Sequence, residues 1–77
     1  MKDAIKPDHY QNGKIDVIES LWQSMPQEWF RGFMTGNVIK YVMRYPQKGG
    51  IEDLEKAREY IDRLIENENR AMNIRNT

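Results

Sequence analysis

The sequence has no cysteine, and His9 is its single histidine. Disulfides and thiolate nucleophiles are therefore excluded, and structural zinc built on Cys and His has nothing to bind it. No Ser-His-Asp or Cys-His set is available for nucleophilic catalysis. Net charge is also missing: twelve basic residues balance twelve acidic ones. A dedicated nucleic-acid-binding domain is normally basic as a whole, so that class is disfavoured, although a local patch survives such averaging. No stretch of about 18 apolar residues exists to span a membrane. Met1 to Pro7 leads into no apolar h-region, so no secretory signal is read and the expected compartment is the cytoplasm. The glycines before Lys48 do not form a P-loop, because no Lys-Ser/Thr pair closes the motif.

What remains is a chain of 77 residues, one domain long, with 39% apolar residues. At this size apolar burial barely offsets ordering entropy, and the core is expected to be thin. Self-association is the expected remedy.

The three prolines fall between periodic segments. Residues 1–14 read as an N-terminal arm, with Pro7, an Asn12-Gly13 turn signal and a His9-Tyr10 pair. Val17, Ile18, Leu21, Trp22 and Met25 recur at helical steps, which predicts a first helix near 15–25, with Asp16 at its positive end. Pro26 stops that helix and suits the first position of the next, near 26–45, with Ser24 as its N-cap. Gly32 and Gly36 inside the second helix predict either a bend or the close approach of another backbone. Pro46 ends it, and Gln47-Lys48-Gly49-Gly50 forms a loop. A third helix near 51–69 carries an apolar stripe of Leu54, Ala57 or Arg58, Ile61, Leu64 and Ile65. Residues 71–77 read as a flexible tail beyond a helical domain of 15–70. No internal repeat or heptad array of useful length is evident. The fold class is all-α, a compact three-helix domain with an N-terminal arm.

Chemistry concentrates on the second and third helices. Asn37, Lys40 (or Tyr41) and Arg44 share one side of the second helix, Lys48 follows, and Phe30, Phe33, Met34 and Tyr41 add bulk beside them. Such an array suits a phosphate-rich ligand, since arginine donates in pairs and lysine supplies a mobile point charge. The third helix has its own polar line of Asp53, Lys56, Tyr60 and Arg63. Asp53 is the candidate for holding Mg²⁺, and the metal would arrive with a nucleotide; no other cofactor is implied. The same residues also make sense as an interhelical salt-bridge network with no ligand at all. Acidic pairs such as Glu52 and Glu55 arise by chance at this density of carboxylates. Trp22 and Trp29 suit core or interface positions. His9 and Tyr10 are candidates for closing over a ligand.

In order and with ordinary spacing, several blocks resemble a known family. They are Pro7-Asp8-His9-Tyr10, Ile15 to Ile18, Phe33 with Gly36-Asn37-Val38-Ile39-Lys40-Tyr41 and Arg44, then Lys48-Gly49-Gly50, Asp53-Leu54, Lys56-Ala57 and Tyr60 to Leu64. The chain resembles, over about residues 7–66, a small bacteriophage family long carried as a domain of unknown function, some members of which are described as nucleotide kinases. The resemblance implies a deoxynucleoside monophosphate kinase without a P-loop, assembling as an oligomer, with His9, Asn37, Lys40, Arg44, Lys48, Asp53 and Lys56 lining the polar site. From the residues themselves, a ligand site of His9, Tyr10, Asn37, Lys40, Arg44, Lys48, Lys56 and Tyr60 is expected. Its occupant is a nucleotide or another phosphorylated molecule. Whether the chain is a non-catalytic binder or sequestering factor, a kinase-like enzyme, or a module for nucleic acid or a host protein stays open at this point.

Overall fold

The computed structural model describes residues 16–75. The expected arm, with His9 and Tyr10, lies outside the described residues. Among the described residues the fold is all-α, with three helices: α1 (Val17–Ser24), α2 (Gln27–Arg44) and α3 (Ile51–Arg75). The chain divides after Phe30 into two compact units.

In the first unit, α1 begins where Asp16 turns from an extended backbone (φ −72°, ψ 171°) and its carboxylate accepts the Glu19 amide at 2.9 Å. That bond satisfies one of the donors every helix start leaves unpaired. Met25, held extended before Pro26, ends the helix. Ser24 does not cap the following helix as expected. Its hydroxyl donates back to the Ser20 carbonyl at 2.8 Å, and the Pro26 carbonyl takes the first amides of α2 instead, from Trp29 and Phe30. Trp22 meets Phe30 edge-on, with ring centroids 5.6 Å apart.

In the second unit, α2 and α3 run antiparallel. Their contacts descend in order: Arg31 with Glu68, Tyr41 with Tyr60, Arg44 with Asp53. The turn between them closes through Lys48 N–H to the Arg44 carbonyl and Gly50 N–H to the Tyr45 carbonyl. Gly50 has φ +57°, a left-handed conformation that favours glycine. Space around Gly32 and Gly36 is open: a methyl added at either meets nothing within 4 Å. No backbone packs on them among the described residues, where the expected close approach is therefore not found.

The face of α3 that turns inward takes only part of the expected apolar stripe, Ala57 and the half-buried Leu64. Asp53, Ala57, Arg63, Asn67 and Ala71 are buried, while Leu54, Ile61 and Ile65 lie exposed. The burial of Asn67 and Ala71 also accounts for the length of α3, which continues to Arg75, past the expected end near 69. Four Asn and one Thr in the last eleven residues weaken the sequence signal there, but tertiary burial overrides local propensity.

Candidate functional site

The site is built around one ring. Tyr41, half-buried on α2, stacks on Tyr60 of α3 with centroids 5.9 Å apart and planes 23° from parallel. Phe33 meets the edge of Tyr60 at 6.5 Å. Three cations approach the Tyr41 ring: Lys40 Nζ at 4.5 Å from its centroid, the Arg44 guanidinium carbon at 4.9 Å and Lys56 Nζ at 5.5 Å. Lys40 and Arg44 come from α2 and Lys56 from α3, so the helical hairpin assembles the cluster. The negative face of the aromatic ring is what makes the gathering of like charges tolerable.

The three cations are not equivalent. Arg44 is committed to Asp53, through Nε to Oδ2 at 3.0 Å and Nη2 to Oδ1 at 3.3 Å. Asp53, only 1% exposed, also accepts the Gly49 amide on Oδ2 at 2.8 Å. The Arg44 hydrogen bond, helped by the Gly49 amide and by nearby positive charge, holds the Asp53 carboxyl below the usual carboxylate range despite its burial. The same hydrogen bond raises Arg44. Gly49 is required by this arrangement, because a Cβ there would overlap the Asp53 carboxylate. Lys40 and Lys56 are exposed residues. Burial pushes Tyr60 above the ordinary phenol value, with smaller contributions from Tyr41 and Glu59.

Of the residues expected from sequence, the structure thus brings together Lys40, Arg44, Lys56, Tyr60 and Asp53. Asn37 is half-buried, and its side-chain nitrogen donates to the Phe33 carbonyl of its own helix at 2.9 Å. Lys48 is exposed in the turn. Both Asp53 oxygens are engaged, by Arg44 and by the Gly49 amide. Among the described residues no group of three or more His, Asp or Glu is placed to hold a metal. Sequence reasoning treated Tyr41 as bulk and missed it as the centre. The signal was its position three residues before Arg44, a neighbouring place on a helix surface. Gly49 was missed as a partner of Asp53, four residues on.

A helical hairpin with a cation-aromatic cluster at its turn end is the class the fold and site define. The model of the family described as a protein of unknown function, DUF3310, matches residues 5–62, and the chain belongs to this family. Two phage relatives are similar. The Gene 1.7 protein of Enterobacteria phage T3 is 36% identical over 55 residues, covering 70% of this chain and 34% of the relative. The Nucleotide kinase gp1.7 of Escherichia phage T7 is 40% identical over 57 residues, covering 73% of this chain and 29% of the relative. The match thus spans about a third of the length of these curated relatives. No solved structure matches the chain. Among the described residues, no helix is long and apolar enough to cross a membrane.

Proposed function

We propose that this chain is a phosphate-binding helical module of a nucleotide-kinase-like phage protein, with Lys40 and Lys56 taking the phosphates of a nucleotide. The observation that carries the reading is the division of labour around Tyr41. Asp53 neutralises Arg44, whereas Lys40 and Lys56 stand exposed beside the same ring from opposite helices. Two ammonium groups at one ring, with no acidic partner at hydrogen-bonding distance among the described residues, suit a polyanion. Lys48 in the turn extends the positive end of the hairpin. The name of the phage T7 relative favours nucleotide phosphoryl transfer over simple sequestration. In that activity the lysines would strengthen their contacts as charge builds on the transferred group's oxygens, and Mg²⁺ would enter with the nucleotide rather than on Asp53.

Calorimetry with deoxynucleoside monophosphates and with ATP, each with and without Mg²⁺, tests the binding. Lys40→Ala and Lys56→Ala should each weaken it by about tenfold, the value of one charge-assisted contact, while leaving the melting temperature within about two degrees. Absence of binding at about millimolar nucleotide would overturn the reading. Chromatographic detection of the diphosphate products then separates a kinase from a binder.

A further inference from the structure

A lysine is a poorly fixed donor. Its ammonium rides on a flexible four-carbon stem, and much of that freedom is lost when an anion pins it. A carboxylate partner would fix the side chain beforehand but would also cancel its charge, as Asp53 does for Arg44. An aromatic face does the first without the second, because its quadrupole attracts the ammonium while the ring carries no net charge. Lys40 Nζ lies 4.5 Å and Lys56 Nζ 5.5 Å from the centroid of Tyr41. The ring is itself held. Tyr60 stacks on it with centroids 5.9 Å apart, and Phe33 braces Tyr60 edge-on at 6.5 Å. Phe33 and Tyr41 belong to α2 and Tyr60 to α3, so the stack also ties the two helices together. Lys56 stands four residues before Tyr60, a neighbouring place on the surface of α3, which brings a lysine of the opposite helix to this ring.

We propose that Tyr41 is the positioning residue of the site, holding Lys40 and Lys56 in place for the phosphates without stacking on the base, an assignment that rests on the phosphate-binding reading of the two lysines. Tyr60 already takes one face of Tyr41, and three cations stand over the ring, which leaves a nucleobase little to stack on. Keeping each ammonium near its bound position offsets part of the ordering loss before the ligand arrives. At an exposed site such a contact is worth about threefold in affinity for each lysine, hence about tenfold for the pair. The phenol hydroxyl has no part in this, because both the quadrupole and the stack on Tyr60 belong to the ring.

Calorimetry of the full chain with ATP and with inorganic tripolyphosphate, both without Mg²⁺, tests the assignment, since tripolyphosphate has the phosphates and no base. Tyr41→Leu should weaken binding of both probes by about tenfold, and Tyr41→Phe should bind both within about twofold of the wild type. A loss confined to ATP would overturn the proposal, because Tyr41 would then be stacking on the base. Unchanged affinity in Tyr41→Leu would overturn it as well, and so would a wild type that binds ATP but not tripolyphosphate. The wild-type chain supplies a second reading that does not depend on the leucine variant folding. In its NMR spectrum the ring should shift the methylene protons next to the Lys40 and Lys56 ammonium groups upfield of those of Lys48, and Tyr41→Phe should keep that shift. Its absence from the wild type would sink the positioning role. A wild type that binds neither probe removes the nucleotide reading together with this one. Wild-type binding with Tyr41→Leu unaffected removes the positioning role alone.

Discussion

Asp53 is the residue on which the hairpin's turn depends. Its carboxylate receives Arg44 from the end of α2 and the Gly49 amide from the turn, and it sits in the first turn of α3, where negative charge is favoured. Asp53→Asn keeps the shape but loses the charge that both donors seek. It should lower the melting temperature by several degrees, and Gly49→Ala should cost about 1–3 kcal/mol through overlap with the same carboxylate. The pH dependence has a defined sign. A carboxyl whose folded-state pKa is depressed contributes fully above its unfolded value and loses that contribution as pH falls through the folded value. Melting temperatures followed by circular dichroism should therefore fall below about pH 4 in the wild type. The fall should be shallower in Asp53→Asn, and equal slopes would show that the clasp does not contribute.

At the scale of elements, periodicity and proline placement located all three helices, because both report backbone geometry directly. They reported less about which face turns inward. On α3 the large apolar residues Leu54, Ile61 and Ile65 lie exposed, and Asp53, Arg63 and Asn67 are buried beside Ala57 and Ala71, so side-chain hydrophobicity was a poor guide to the intrachain contact. In the site, Lys40, Arg44 and Lys56 were legible from helix spacing. The pairing of Arg44 with Asp53 was legible as one of two readings, an interhelical salt bridge or a ligand face, and the spacing of residues alone could not choose between them because the choice depends on the pitch and closure of a turn. Gly32 and Gly36 on α2 supply an element-scale test. Each has open space where a methyl would go, and α2 runs unbroken through both. Gly32→Ala and Gly36→Ala should each stabilise the chain by about 0.5–1 kcal/mol in denaturant titrations, the helix-propensity gain alone. A loss of stability at either position would mean that the glycine serves an approach made by another molecule.

For the whole molecule, equal numbers of acidic and basic residues leave no long-range field to gather a polyanion. Attraction must come from the local set at the turn end of the hairpin, where Arg44 is already paired and Lys40, Lys56 and Lys48 are exposed. This sets an upper bound on how the chain responds to salt. A single-stranded oligonucleotide releases about 0.7 counterions for each phosphate neutralised, so three lysines permit a log-log slope no steeper than about −2. Binding of a labelled 15-mer, followed by fluorescence anisotropy between 50 and 300 mM salt, should be weak and stay within that bound. Lys40→Ala should make the slope shallower by roughly one phosphate's share. A slope near −4 would require a basic surface wider than the hairpin provides, and would favour a nucleic-acid-binding function over mononucleotide recognition.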